Sequence, residues 1–164
     1  MTIETSRKPD YYSDIDTYGK FGEELFLKEY SHLFIRDVRS DPDYQKTDVD
    51  FLVNGRHRVE VKVDTVALKS GNIAYEMVSH GSSGWSVSTQ ADYVYMVLAK
   101  DNPLTPVWAI MIDMKRWHDF CADRKTPKKM NVIQSESIVD ILCKINDLRK
   151  YGVIIREKRF EIRD

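Results

Sequence analysis

The chain has 164 residues, of which 31% are charged and 42% are aliphatic, aromatic or cysteine. That balance excludes a disordered chain, and the length supports one well-buried core while leaving too little for two ordinary domains. A formal net charge of −1 excludes a uniformly basic surface, so affinity for a polyanion would have to come from local clusters.

Residues 1–17 read as a polar arm with turn signals, and the first nine lack the apolar core of a signal peptide. Residues 18–31 read as an amphipathic helix with Tyr18, Phe21, Leu25 and Phe26 on one face. Its phase sets Glu23 beside Phe26 and Tyr30 at the edge of that face, and Glu24 nearer Lys20 and Lys28. Residues 33–38 read as a strand, and Arg39-Ser-Asp-Pro-Asp43 as a turn.

The most informative stretch follows. In 57–63, Val59, Val61 and Val63 alternate with Arg58, Glu60 and Lys62, so the charged residues share one strand face. In 48–53, Val49, Phe51 and Val53 alternate with Asp48, Asp50 and Leu52. Asn54-Gly55 between them is a strong hairpin signal. A two-residue turn would place one strand's apolar set on the wrong face. A three-residue loop with a bulge at Gly55 restores parity and gathers Asp48, Asp50, Arg58, Glu60 and Lys62 on one face. Two carboxylates and a lysine there have the makings of a divalent-cation site that steadies a phosphate. The bland alternative is a Glu60–Lys62 surface ion pair of little energetic consequence.

Further along, 69–78 reads as a strand, 80–84 as a loop, and the apolar run from Tyr93 to Ala99 as a strand too short to span a membrane. Residues 106–113 read as another strand, followed by a short helix carrying Trp117 and Phe120. A helix capped by Ser135 or Ser137 and running to Lys150 would bury Ile138, Ile141, Leu142, Ile145 and Leu148, with Gly152 as its stop. Two short strands, near 153–156 and 159–163, complete an α/β pattern with a mixed sheet flanked by helices. Basic clusters occur at Arg56-His-Arg58, Arg124–Lys129, Arg149-Lys150 and Arg156–Arg159. The two cysteines, Cys121 and Cys143, have no metal-type spacing and suit a reduced, cytoplasmic setting. His32, His57, His80 and His118 fall in no ligand spacing.

Asp50 followed by Glu60-Val61-Lys62 across a hairpin resembles the signature of the PD-(D/E)XK phosphodiesterase superfamily, which includes restriction enzymes and Holliday-junction resolvases. Gly19-Lys-Phe-Gly-Glu23 resembles the family's Gly-x-x-Gly-Glu helix, and Ala91-Asp-Tyr93 its later strand. The resemblance covers about residues 18–115, with Val49 where a proline is usual. It implies a single restriction endonuclease-like domain over 18–164 and a metal-dependent nuclease acting on nucleic acid, with DNA expected. It further implies Mg²⁺ or Mn²⁺ held by Asp50, Glu60 and the Val61 carbonyl, with Lys62 acting on the attacking water and Glu23 joining the site. Arg58 and Lys69 would contact backbone phosphates. Gly71-Asn72, with Glu76, resembles phage-type members and adds Asn72 as a substrate contact. A homodimer is left open, since nucleases acting on branched or palindromic DNA work as two-fold pairs. The alternative function is a catalytically weak nucleic-acid-binding module or complex subunit with the same fold.

Overall fold

The computed structural model describes residues 11–161, with side chains from residue 17 onward. The first helix, α1, covers Tyr11–Glu29, so the expected polar arm is helical from residue 11. Residues 1–10 lie outside the described part. Strand β1 (Ile35–Asp37) is followed by a one-turn helix α2 (Pro42–Gln45), capped by the Asp41 carboxylate. Strands β2 (Phe51–Val53) and β3 (His57–Asp64) form the hairpin. Then come α3 (Ala67–Ser70), β4 (Asn72–Ser79), β5 (Ser82–Ser83) and α4 (Trp85–Ser88). The chain continues through β6 (Tyr93–Lys100), β7 (Thr105–Asp113), α5 (Met114–Ala122), β8 (Lys129–Ile133), β9 (Ile138–Lys144), α6 (Ile145–Lys150) and β10 (Ile154–Arg159).

Six strands make a mixed sheet in the order β1-β2-β3-β6-β7-β10, and four make an antiparallel sheet in the order β5-β4-β9-β8. Only β3 and β6 of the larger sheet run parallel. The α/β expectation with a mixed sheet holds, and the second sheet is an addition to it. β6 explains its own uninterrupted apolar run, because it is buried on both faces. Val94, Met96 and Leu98 pack with Ile73, Tyr75, Ile141 and Trp117 on one side, and Tyr95, Val97 and Ala99 pack with Phe26, Val59 and Val61 on the other. The larger sheet therefore lies between α1 and the smaller sheet with α5.

Several local readings change. The expected helix over 135–150 is a turn, strand β9 and, directly after it, the short helix α6. The spacing of Ile138, Ile141, Leu142 and Ile145 suits a helix face, but Ile141 and Cys143 alternate inward when 138–144 pairs with β4. Gly152 does end the following helix with φ of 71°. Residues 67–70 are helical, so Lys69 leaves the expected strand, and 82–83 form the short edge strand β5 within the expected loop. Among the described residues β10 runs from Ile154 to Arg159 where strands near 153–156 and 159–163 were expected, and residues 162–164 lie outside the described part.

α1 sits close to β3 because Gly22 has no side chain. A Cβ there would lie 2.7 Å from Val63 Cγ2 and 3.0 Å from Val61 Cγ1. Gly22→Val is expected to cost about 1–3 kcal/mol by overpacking, read by chemical denaturation. Unchanged stability would mean that the helix is not seated on β3 as described.

Candidate functional site

The hairpin loop contains three residues, since Val53 pairs with His57 and Phe51 with Val59. Gly55 has φ of 70° as expected, and Asn54 is left-handed too at 53°. The loop takes up the odd residue itself, and the pairs beyond it run unshifted. Phe51, Val53, Val59 and Val61 consequently share the face covered by α1, and Asp50, Glu60 and Lys62 share the other.

Backbone pairing continues through Asp50, whose N–H donates to the Val59 carbonyl at 3.0 Å. It then stops, because Asp48 adopts a left-handed φ of 52° and turns the chain away. Gln90 N–H donates to the Thr47 carbonyl on the far side of that turn. In the gap so opened, Val61 N–H donates to Asp50 Oδ2 at 2.8 Å. An extended residue points its N–H and C=O the same way, so the Val61 carbonyl faces the same gap.

Glu60 is only 3% exposed. Its Oε1 lies 2.5 Å from Lys62 Nζ, and its Oε2 accepts from Thr89 Oγ1 at 3.0 Å. Burial raises its carboxyl to about 7, against the pull of Lys62 and with a further push from Asp48 and Asp50. Burial also raises Asp50, opposed by the Val61 N–H bond and assisted by Glu23. Thr89 Oγ1 also lies 3.2 Å from the Asp48 carbonyl. Its single proton serves one acceptor at a time, so a protonated Glu60 can donate to Thr89 while Thr89 turns to Asp48. Lys62 Nζ stands 4.9 Å from the Trp85 ring centroid, a cation–π contact that helps hold it in place.

Glu23 belongs to the same electrostatic neighbourhood, as its effect on Asp50 shows. Its Oε2 is ion-paired with Arg39, which Asp37 grips in turn through two bonds of 2.9 and 2.6 Å. Asn72 lines a groove of about 690 Å³ with Lys62, Glu76, Trp85 and Asp140. Two expected substrate contacts are placed differently. Arg58 is gripped by Asp92, with bonds of 3.3 and 2.9 Å, and lines a separate cavity with Arg56 and His118. Lys69 is exposed on α3, while Ser70 and Asn72 line the groove.

The donors suit a hard cation. Mg²⁺ commonly takes one or two carboxylates and completes its shell with water and phosphate oxygens. Asp50 Oδ1, the Glu60 carboxylate and the Val61 carbonyl match that demand. Among the described residues no group of three His, Cys, Asp or Glu side chains is gathered where it could hold an ion. Thr89 and Arg39 are contributors that the sequence pattern does not single out, while Trp85, which ends a Gly-rich loop and could stack on a base or pack on the core, stands against Lys62 and Trp117. Thr89 and Arg39 each reach the site from a distant segment and carry no local signal of doing so.

No protein-family model matches the chain, and no curated protein matches it. The structure itself defines an α/β protein whose mixed sheet carries two carboxylates and a lysine on one face, where two strands part.

Proposed function

We propose that this chain is a metal-dependent nuclease of the PD-(D/E)XK type, hydrolysing phosphodiester bonds of nucleic acid with DNA as its substrate. The observation that carries the reading is the gap between β2 and β3. There Asp50, Glu60 and Lys62 share one face, and the Asp50 carboxylate holds the Val61 N–H at 2.8 Å. Asp50, Glu60 and the Val61 carbonyl would hold Mg²⁺ or Mn²⁺. A divalent ion supplies charge neutralisation at the phosphate and lowers the pKa of bound water. Lys62 orients the attacking water and sets its positive charge where the transition state gains negative charge. Glu23, held by Arg39, adds negative charge beside Asp50. Asn72 contributes a polar contact in the adjoining groove. Both cysteines are free, which supports a cytoplasmic setting, and no described helix is long and apolar enough to cross a membrane.

The test is a cleavage panel of duplex, branched and single-stranded DNA and RNA, with Mg²⁺, Mn²⁺ and chelator, alongside calorimetry of divalent binding. Divalent-dependent cleavage is the expected result. In chelator, nucleic-acid binding is expected to be weak and to fall steeply with salt, because Asp48, Asp50, Glu23 and Glu60 repel phosphate until a cation intervenes. Absence of both cleavage and divalent binding overturns the proposal. Tight binding that is indifferent to divalent ions replaces it with the binding-module reading.

A further inference from the structure

The two sheets end in four edge strands, β1 and β10 in the larger and β5 and β8 in the smaller. A free strand edge templates association, and proteins blunt such edges with charge or shortness. β1 has three residues including Arg36 and Asp37, β5 is two serines, and β10 carries Arg156, Glu157, Lys158 and Arg159. β8 is unlike them. Lys129-Met-Asn-Val-Ile133 has five residues and a single charge. Met130, Val132 and Ile133 are 61%, 52% and 39% exposed, three of the eight large apolar side chains exposed among the described residues. Exposed apolar surface is thus concentrated on the one edge that lacks protection.

We infer that β8 pairs antiparallel with β8 of a second copy of this chain, giving a two-fold homodimer joined through a continuous eight-stranded sheet. The occupant is chosen by charge. The strand is basic where it starts, at Lys128 and Lys129, and acidic just after it ends, at Glu136. Antiparallel self-pairing sets each basic end beside the other copy's acidic end, whereas parallel pairing would set like beside like. Lys129 and Glu136 have no ion-pair partner within the chain among the described residues. Alternation along the strand puts Met130 and Val132 on one face. A two-fold axis perpendicular to the sheet keeps faces alike, so the four apolar side chains from two copies meet on one side. Five residues span only about 17 Å, so the dimer belongs to the weak, reversible class of interface.

The same symmetry has a consequence for the site. β4 and β9 supply Glu76 and Asp140 to the groove that holds Lys62, so both grooves of the dimer open on the same side of the joined sheet. That disposition suits one duplex with two strands to cut. This consequence rests on the nuclease reading, while the dimer itself does not.

The test is sedimentation velocity on the full chain over a concentration series, in chelator and without nucleic acid. The wild type is expected to shift from monomer to dimer mass as concentration rises. Val132→Lys is expected to remain monomeric with little change in its thermal unfolding, because the residue is half exposed at the sheet edge. Glu136→Lys, in the turn beyond the strand, is expected to weaken association several-fold at low salt, and adding Lys129→Glu is expected to restore it. A wild type that is monomeric throughout overturns the inference. So does a dimer that survives Val132→Lys, or one whose charge-swapped pair shows no rescue. Because no cleavage is measured, loss of the dimer leaves the nuclease reading standing, and the converse also holds.

Discussion

Replacing Lys62 by alanine is expected to lower divalent-dependent cleavage by about 10²–10³, the usual effect of losing one oriented electrostatic donor. Divalent binding is expected to persist in that variant, because the proposed oxygen ligands are those of Asp50, Glu60 and Val61. Its onset moves to higher pH, since Glu60 then keeps its burial and loses the cation at 2.5 Å that favours the ionised form. Asp50→Ala is expected to abolish both binding and cleavage. It also leaves the Val61 N–H unsatisfied, at a cost of roughly 1–3 kcal/mol. Glu23→Ala is expected to slow cleavage less, with partial recovery in Mn²⁺. Kinetics and calorimetry on the same preparations separate these outcomes. Parental rates in all three variants would place the active site elsewhere.

Glu60→Gln is expected to make the protein more stable while removing its function. In the folded protein Glu60 titrates at about 7, against an ordinary 4.5. Between those values the folded chain holds a proton that the unfolded chain has already released. Stability from this group is therefore complete below about 4.5 and is lost as pH rises through 7. Glutamine is never charged, so the variant escapes the loss. The expected gain at pH 8 is roughly 1–3 kcal/mol, and each kcal/mol raises the melting temperature by about 2–4 °C in a chain of this size. At pH 4 the two proteins are expected to melt nearly together. Thermal unfolding at both pH values is the measurement, and a difference that does not change with pH would mean that Glu60 is ionised throughout. Mg²⁺ adds a second contrast, since it is expected to stabilise the wild type by mass action and leave the variant unmoved.

The core of the site was legible because it is local. Alternation in 48–53 and 57–63 dictates which side chains share a face, and parity across the loop then forces three residues between Val53 and His57. No distant contact is needed for that result, and Asp50, Glu60 and Lys62 follow from it. The apolar run of β6 and the helix carrying Trp117 were legible for the same reason, each being a period strong enough to stand alone. The stretch 138–148 was not, because its spacing satisfies a helix face and a half-buried strand equally well. The choice fell to β4, far earlier in the chain, whose open edge takes 138–144 as a partner and creates the second sheet.

Tertiary structure likewise decided the surroundings of the site. Thr89 reaches Glu60, Arg39 takes Glu23, and Asp92 pairs with Arg58. Each of these pairs joins segments separated along the chain, and neither member announces its partner by type or spacing. The sequence by itself determined which face of one hairpin is charged, because side-chain direction along a strand is a property of the backbone. Only the packed structure decided how deeply Glu60 is buried and which cation answers it. Burial and pairing depend on everything that closes over the strand.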